Sequence, residues 1–499
     1  MNDHLGRHAA TGLAWACGAI ALASASLASA ATVTIVNLNG AGVGFNDTTV
    51  VANTDAGCIV GETLGTCRLR VFTTAAEQWG RLLNSTVEIR VEAQMTGLTC
   101  SGTSAVLGSA GPISSFANFA NAPRPNTAYA VALANSLAGT DLNPAANDIT
   151  TNFNVTIDTG TCLTGTAGWW YGINPAVPGP ANRTPLLPVV FHEIGHGLGF
   201  TSGVNTSTGA YFSGSTPSAW AHFLYDTETS KRWLAMTNAE RAASAINDPD
   251  LVWSGRLVNV ASPQFLGAPA RIVVNAPAGI AGSYEAQTAE FGANVATSPV
   301  TNDVVLVDDG VTGAGTITDG CETPFVNAAA VSGKIALIDR GNCTFVIKVA
   351  NAQANGAVGV IIANNAATGL PGMGGTDPTI TIPSLGSTQA LGTSIKANLP
   401  APGVNVTLGV DPAQGVAGSR QGCVRMFAPN PVQTGSSVSH FHSEAFPNLL
   451  MEPSLNRSIF DKVDLTAYLF RDIGWATAND NGFVSEGFED GPCAFAPPP

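Results

Sequence analysis

Residues 192–196 read His-Glu-Ile-Gly-His, and these residue types can together hold a metal ion and activate a water molecule. Histidines four positions apart on a helix lie on the same face, so the imidazoles of His192 and His196 can reach one Zn²⁺ ion. Glu193 would then lie beside the open coordination position, where its carboxylate can take a proton from bound water. The motif therefore predicts a catalytic zinc site with Glu193 as general base.

The residues on either side predict that the motif lies on a buried helix. Apolar runs at 186–191 and 198–200 flank it, and Pro188 suits the first turn of a helix, where its missing N–H does no harm. The competing interpretation, two surface histidines on an amphipathic helix, is disfavoured because unpaired imidazoles are poor core residues. Each interior glycine costs a helix up to ~1 kcal/mol relative to alanine. A requirement other than helix stability is therefore expected at Gly195, Gly197 and Gly199.

A catalytic zinc site needs three protein ligands and one open position, so the motif lacks one ligand. Ser202 stands where the common metzincin spacing places a histidine. Ser215 and Thr216 stand where thermolysin-like spacing places a glutamate. The third ligand is therefore expected from a distant part of the chain.

Three further histidines lie outside the N-terminal leader, at positions 222, 440 and 442. His222 is expected to be a partly buried histidine with ordinary hydrogen bonds. His440 and His442 are better ligand candidates, because both come shortly before Met451. Residues two positions apart on a strand point the same way, so this reasoning leaves both open.

A histidine followed eleven residues later by a methionine in a tight turn is the metzincin arrangement, in which the methionine forms an apolar floor beneath the metal. The chain resembles leishmanolysin-like metzincins, in which an insertion separates the zinc motif from the third histidine. The resemblance implies peptide-bond hydrolysis in proteins by one catalytic Zn²⁺ ion. It also implies His192, His196 and His440 as ligands, with His442 as the alternative to His440, and Met451 in the Met-turn.

Residues 283–411 have their own pattern of strand, helix and strand. Apolar strands are predicted at 334–339 and 358–362, with a helix between them, which is typical of a small α/β unit. The runs 333–343, 348–353, 356–362 and 382–384 resemble the protease-associated (PA) domain. The resemblance implies a non-catalytic unit, inserted in a secreted bacterial zinc metallopeptidase, that contacts substrate or other proteins.

The N-terminus predicts export. Arg7 and His8 precede an Ala/Gly/Leu-rich stretch, and Ala28-Ser29-Ala30 has the form of a signal-peptidase site, so residues 1–30 are expected to be a signal peptide. The rest of the chain is expected to be secreted, extracellular or periplasmic, with no membrane anchor. A net charge of −14 argues against a nucleic-acid partner and leaves protein or peptide substrates.

Eight cysteines remain after the leader, and an even number in an exported chain predicts disulfides. Sequence proximity suggests the pairs Cys58 with Cys67, Cys100 with Cys162, Cys321 with Cys343, and Cys423 with Cys493. The tail at residues 477–499 is expected to be a linker. Its Asn479-Asp480-Asn481 run offers only weak support for a structural Ca²⁺ ion.

The expected fold class is α+β. A metzincin-like catalytic domain is divided between residues 31–282 and 412–476, and the PA-like unit at 283–411 lies between its two parts. The alternative to an enzyme is a secreted binding or adhesin protein that keeps the metallopeptidase fold without turnover. Glu193 favours the enzyme, because loss of this glutamate or of a ligand is the usual mark of an inactive relative.

Overall fold

The computed structural model describes residues 30–478, apart from positions 103, 161, 164, 178, 181, 311–314, 368, 376, 455–458 and 460–462. Ala30 is the only described residue of the predicted signal peptide. The predicted tail is described only at residues 477 and 478, so the suggested Ca²⁺ loop and Cys493 lie outside the described residues.

The described residues form nine α-helices and 23 short strands. The helices are α1 (Leu64–Leu82), α2 (Val131–Ala138), α3 (Leu186–Gly197), α4 (Asn238–Ser244), α5 (Arg256–Phe265), α6 (Ala328–Val331), α7 (Phe345–Ala354), α8 (Gln389–Asn398) and α9 (Thr466–Ile473). The strands before the inserted unit are β1 (Val33–Asn37), β2 (Ile89–Thr96), β3 (Gly108–Pro112), β4 (Ser115–Phe116), β5 (Tyr129–Ala130), β6 (Ile149–Asn154), β7 (Trp169–Trp170), β8 (Thr184–Pro185), β9 (Val204–Asn205), β10 (Ala210–Tyr211), β11 (Leu224–Asp226), β12 (Lys231–Arg232) and β13 (Leu251–Trp253). The remaining strands are β14 (Ala270–Ala276), β15 (Gly282–Glu285), β16 (Gln287–Thr288), β17 (Val300–Leu306), β18 (Ile335–Asp339), β19 (Gly359–Ala363), β20 (Ser384–Ser387), β21 (Asn405–Val410), β22 (Ser419–Arg420) and β23 (Cys423–Val424).

A four-stranded sheet supports the zinc-motif helix. Its strand order is β1-β2-β6-β3, with the first three strands parallel and β3 antiparallel to β6 at the edge. Along β2 buried and half-buried residues alternate, as the sequence predicts for a strand with one face on the core. Helices α1 and α3 pack with this sheet, and buried residues of β2 and of both helices belong to one core.

Trp79 holds α1 against α3. The indole is fully buried, its ring lies 4.6 Å from that of Phe191, and its Nε1 donates a hydrogen bond of 3.0 Å to the Phe191 carbonyl. A buried indole N–H without an acceptor would cost free energy, so this contact fixes the rotation of α3 as well as its distance.

The same hydrophobic core takes residues from both sides of the inserted unit. Trp79 and Phe191 come from the first part of the chain, and Phe441, Met451 and Phe470 come from the last part. The segment 201–282, whose role the sequence left open, adds α4, α5 and a sheet of order β12-β11-β13. One hydrophobic core is therefore built from two separated pieces of the chain.

The inserted unit is a separate eight-stranded sheet of order β15-β14-β21-β17-β18-β19-β20-β16. Neighbouring strands from β17 to β20 are parallel, and α7 lies between β18 and β19 in the chain, as the sequence predicted. Apolar residues of α7 and of α8 belong to two different cores, so the sheet is covered by both of these helices.

The sheet of the inserted unit begins earlier than the predicted boundary at Ser283. Strand β14 starts at Ala270 and pairs antiparallel with β21, with Ala270 opposite Val410. The Asp411 amide donates a hydrogen bond of 3.0 Å to the Pro269 carbonyl, so the chain enters and leaves the unit at adjacent points. Among the described residues, no helix is long and apolar enough to cross a membrane.

Candidate metal centre

Helix α3 carries the zinc motif at its C-terminal half. Pro188 is the third residue of the helix, where it displaces no intrahelical hydrogen bond, as predicted. His196 and Glu193 are buried with 8% exposed surface each, and His192 is half-buried. The helix therefore presents the two histidines and the glutamate to the interior of the molecule.

Each of the three glycines of this region has a structural explanation. A Cβ atom at Gly195 would lie 2.9 Å from the Sδ atom of Met451, and one at Gly197 would lie 2.1 Å from Cγ2 of Ile149. Gly199 has φ +118°, a backbone conformation that residues with a side chain rarely adopt, just after the helix ends. Close packing thus explains Gly195 and Gly197, and helix termination explains Gly199, although helix propensity disfavours all three.

The structure brings His440 to the two histidines of α3. The Nε2 atoms of His192 and His196 are 3.0 Å apart, and that of His440 lies 3.2 and 3.1 Å from them. The chain around His440 is held by two backbone hydrogen bonds, from the Phe427 amide to the His440 carbonyl and from the Phe441 amide to the Met451 carbonyl. The sequence-predicted ligands therefore meet at one point, although 248 positions separate His192 from His440.

The hydrogen bonds at the other ring nitrogens decide the tautomers. The Nδ1 atoms of His192, His196 and His440 lie 2.7, 2.7 and 2.8 Å from the carbonyl oxygens of Leu450, Phe200 and Ser436. A carbonyl only accepts, so each Nδ1 carries the proton and each Nε2 presents a lone pair. Three lone pairs facing one another at about 3 Å repel unless a cation lies between them.

This donor set fits a zinc ion. Tetrahedral coordination with Zn–N distances of ~2.0–2.1 Å requires nitrogens about 3.3 Å apart, close to the 3.0–3.2 Å found. Burial lowers the pKa of His192 to about 4 and that of His196 to about 3, and it lowers the pKa of His440 well below its usual value. The imidazoles are therefore neutral at pH 7, as metal ligands must be.

Glu193 is the titratable group next to this donor set. Burial raises the pKa of its carboxyl group to about 8. A carboxyl group with a raised pKa is a stronger base than an exposed one, and a nearby cation would favour its ionised form. Glu193 can therefore accept a proton near neutral pH.

His442, the alternative third ligand, points to a different environment. Its Nε2 atom lies 3.2 Å from both the Arg425 guanidinium and the Asp248 carboxylate, and its Nδ1 accepts a hydrogen bond from the Glu444 amide. The expectation that His440 and His442 point the same way assumed a regular strand. Residues 439–442 contain only an isolated bridge at Phe441, so the alternation of a strand does not apply.

Met451 packs against the zinc-motif helix α3. It is fully buried, and its sulfur faces the surface of α3 at Gly195. The neighbouring Leu450 carbonyl accepts the Nδ1 hydrogen bond of His192. The turn that carries Met451 therefore both packs against α3 and orients one histidine.

A cleft of about 490 Å³ opens beside His192 and Glu193. One wall consists of residues 104–108, which end at the first residue of β3, and Gly108 approaches Glu193 so closely that a Cβ there would lie 2.9 Å from Cγ of the glutamate. The opposite wall includes residues 450 and 452–454. In the sheet β3 pairs only with β6, so its outer edge has no partner strand among the described residues.

Sequence reasoning missed Glu452, which lines this cleft. Only 4% of its surface is exposed, and one of its carboxyl oxygens accepts a hydrogen bond of 2.7 Å from the Leu449 amide. Burial raises the pKa of Glu452 well above its usual value, and the carboxylates of Asp464 and Glu290 act in the same direction. The signal in the sequence was an acidic residue directly after Met451 in an otherwise apolar run.

The other candidate residues serve structural roles. Three of the predicted disulfides are present, Cys58–Cys67, Cys100–Cys162 and Cys321–Cys343, and the predicted partner of Cys423 lies outside the described residues. His222 is buried and its Nε2 atom lies 2.9 Å from the Thr127 hydroxyl, as expected for a histidine without a metal role.

A second group of carboxylates occurs in the inserted unit, at Asp309, Asp319 and Glu322. The fully buried Lys348 lies among them, and its ammonium group donates a hydrogen bond to the Asp319 carbonyl. This lysine places one positive charge among the three carboxylates.

Comparison with known proteins identifies residues 300–395 as a match to the PA domain family. Two curated aminopeptidases of Pseudomonas aeruginosa, from strains UCBPP-PA14 and PAO1, are each 50% identical to the chain over 70 residues. That stretch is 14% of this chain and 13% of either relative, so the chain spans only a small part of their length. The PA resemblance inferred from the sequence is thereby confirmed.

The solved structures similar to this chain include enzymes of different chemistry. The match to a zinc aminopeptidase from Bacillus subtilis has 23% sequence identity and a TM-score of 0.21, and it covers 31% of this chain and 36% of the aminopeptidase. The match to the aminopeptidase from Aneurinibacillus sp. strain AM-1 has 29% identity and a TM-score of 0.22, and it covers 31% of this chain and 37% of that enzyme. The match to the subtilisin-like protease Apa1 of Pseudoalteromonas sp. AS-11 has 22% identity and a TM-score of 0.21, and it covers 29% of this chain and 33% of the protease.

Proposed function

We propose that this chain is a zinc-dependent peptidase that hydrolyses peptide bonds within proteins. The observation that carries the proposal is the convergence of three Nε2 lone pairs, from His192, His196 and His440, beside the buried carboxyl group of Glu193. A structural zinc site has four protein ligands, whereas three histidines leave one position open for chemistry.

The residues of the chain divide the work of hydrolysis. His192, His196 and His440 would hold the ion, and their Nδ1 hydrogen bonds to backbone carbonyls keep the rings in the required orientation. When bound, zinc polarises the scissile carbonyl and lowers the pKa of water towards ~7. Glu193 accepts the water proton and later donates it to the leaving amine.

The cleft supports an extended peptide as substrate. The outer edge of β3 offers backbone N–H and C=O groups to which a peptide strand can add, and this edge begins beside Glu193. A peptide held along an edge strand extends past the metal in both directions, which favours an endopeptidase. The similar proteins named above as aminopeptidases make removal of N-terminal residues the alternative to be tested.

We also propose that the catalytic unit is metzincin-like and that the protein acts outside the cytosol. The packing of Met451 against Gly195 of the zinc-motif helix supports the first proposal, because a metzincin also has a methionine turn next to its metal site. The three disulfides support the second, because such bonds persist in oxidising compartments. The PA domain would contact substrates or other proteins.

The role of Glu193 is tested with Glu193→Ala. We expect this variant to keep one zinc ion per chain, because no ligand is lost, and to lose about 10²–10⁴ of kcat on an internally quenched peptide with both ends blocked. Glu77→Ala, at an exposed position of α1, is the matched control and should retain full activity. Near-normal activity of Glu193→Ala would refute the mechanism. Stoichiometric zinc without any cleavage by the wild type would favour the non-catalytic binding protein.

The third ligand is tested with His440→Ala and His442→Ala. His440→Ala should lose both zinc and activity, measured by elemental analysis and peptide cleavage. His442→Ala should retain zinc, because its ring faces Arg425 and Asp248 and not the other histidines. The reverse result would assign the third ligand to His442 and would contradict the geometry described above.

A further inference from the structure

We propose that Glu452 is a specificity-determining residue that binds a positively charged group of the substrate, a guanidinium or ammonium, next to the scissile bond. This inference rests on the proposed peptidase function and deepens it. It begins with the position of the side chain, which lines the same cleft as Glu193 and His192.

Glu452 has no positively charged partner among the residues that the structure describes. Its interactions among the described residues are the hydrogen bond from the Leu449 amide and the electrostatic effects of Asp464 and Glu290, none of which carries positive charge. A carboxylate that is 96% buried pays a large desolvation penalty unless a cation compensates it. Glu444, which is also buried, is by contrast compensated by Arg271 and Arg425.

The other described residues that line the cleft offer no second group, apart from the proposed catalytic Glu193, that could bind a positive charge of the substrate. Among the described residues that line the cleft, three have titratable side chains: His192, Glu193 and Glu452. No lysine or arginine is among these lining residues. Pro188, Val189 and Ile459 supply apolar surface. Apolar surface beside the carboxyl group of Glu452 suits the aliphatic stem and charged end of an arginine or lysine side chain.

The inserted unit reinforces the negative potential at this point. Glu290, which follows β16 in the PA-domain sheet, raises the pKa of Glu452, and so does Asp464, just before α9. Both effects oppose ionisation of Glu452 when the cleft holds no cation. A guanidinium or ammonium group within ion-pairing distance favours ionisation of Glu452, because an opposite charge stabilises the carboxylate form.

The positive group can come from two sources, a basic side chain or the free α-amino group of the substrate. The first requires an endopeptidase that prefers arginine or lysine near the scissile bond. The second requires an aminopeptidase. Both sources offer the same chemistry to Glu452, and blocked and unblocked peptides distinguish them.

The test compares wild type, Glu452→Gln and the control Glu77→Gln, all loaded with zinc. Glutamine keeps the size of the side chain and an oxygen that can accept from the Leu449 amide, so folding should be preserved; zinc content and near-UV circular dichroism check this. One series of end-blocked peptides carries arginine at each position in turn, and a second carries citrulline, its neutral isostere. In addition, two peptides of the same sequence are compared, one with a free and one with an acetylated N-terminus.

We expect wild type and Glu77→Gln to prefer one charged form by about tenfold or more in kcat/KM, and Glu452→Gln to lose that preference. A lost arginine preference identifies a side chain as the source, and a lost free-amine preference identifies the α-amino group. No preference for either charged form in wild type, or the same preference in Glu452→Gln, would overturn the inference.

A binding measurement separates this inference from the proposed function. Zinc-loaded Glu193→Ala, which should not turn over, is titrated with the same peptides carrying a fluorophore, with and without Glu452→Gln. A charge preference in binding that depends on Glu452, without cleavage by wild type, would refute the peptidase proposal alone. Cleavage by wild type without any charge preference in binding would refute the role of Glu452 alone.

Discussion

Replacing Gly197 with alanine tests whether the zinc-motif helix is held against the sheet by close packing. A Cβ at this position would lie 2.1 Å from Cγ2 of Ile149 and 2.9 Å from its Cγ1 and Cδ1 atoms. Carbon atoms in contact are normally about 3.5–4.0 Å apart, so the strand or the helix must move by roughly 1.5 Å. Ile149 is fully buried in β6, between β2 and β3, and has little room to move.

The net effect is a difference between two opposing terms. Alanine gains up to ~1 kcal/mol over glycine inside a helix, and less at position 197, because it is the last residue of α3. Overpacking a well-filled core typically costs about 1–3 kcal/mol. We therefore expect Gly197→Ala to lower the free energy of unfolding by about 1–2 kcal/mol. Gly111→Ala in β3, where an added Cβ meets nothing within 4 Å, should change it by less than about 0.5 kcal/mol.

Ile149→Ala removes all three atoms with which the new methyl group collides. Alone it should cost about 2–5 kcal/mol, because it leaves a cavity. In that background Gly197→Ala should be neutral or stabilising, because the methyl group fills part of the cavity. The double-mutant cycle should thus give a coupling of about 1–3 kcal/mol.

Tryptophan fluorescence during urea unfolding is a suitable assay, because every tryptophan of the chain lies outside residues 270–410 and reports only on the catalytic unit. Zinc content of the folded variants shows whether the shift of α3 reaches the histidines. If Gly197→Ala destabilises the Ile149→Ala protein as much as the wild type, steric packing against Ile149 is not the reason for this glycine.

Two further predictions follow from the site and from the insertion. The chelator-treated protein should lose up to about 3 kcal/mol of stability relative to His192→Gln as the pH falls from 6.5 to about 4, because the folded pKa of His192 lies below the unfolded value and the unfolded chain binds more protons in that window. The variant shares the opposite contribution of Glu193, whose folded pKa is raised. Equal changes in the free energy of unfolding of the two proteins between pH 7 and pH 4 would contradict this. Replacing residues 270–410 with a short Gly/Ser linker should preserve zinc binding and cleavage of a small peptide, because Pro269 and Asp411 are hydrogen-bonded neighbours. Replacing only residues 283–411 removes β21 and leaves β14 unpaired, so this variant should give less soluble protein. If the variant that lacks residues 270–410 does not bind zinc, the two units do not fold separately.

The zinc motif was predictable because helical spacing is a local property. Two histidines four residues apart must share a face, and Glu193 between them must lie nearby, whatever the rest of the chain does. The parallel strands of the PA domain were equally accessible, because strands buried on both faces are continuous apolar runs. Both predictions depend on patterns shorter than about twelve residues.

The choice between His440 and His442 was not accessible in this way. It depends on hydrogen bonds of the irregular segment around them to Phe427 and Met451, which are tertiary contacts. The start of the inserted unit was missed for a related reason. Strand β14 belongs to the PA-domain sheet only because it pairs with β21, whose first residue lies 129 positions after the last residue of β14, and no local pattern records that pairing.

A buried network of charges joins the inserted unit to the segment that carries the third histidine. Arg271 of β14 lies 2.8 Å from the Glu444 carboxylate, which is also paired with Arg425, and Arg425 in turn lies 2.6 Å from Asp248. Glu285 lies 3.8 Å from Arg425 as a third acidic residue of the network, and removing one partner of a buried ion pair typically costs about 3–5 kcal/mol. Because Glu444 follows His440 by only four residues, the orientation of the PA domain and the position of the third histidine are fixed by the same ion pairs. When residues 270–410 are deleted, Arg425 can still pair with Glu444 and Asp248, so the position of the third histidine should be retained without Arg271.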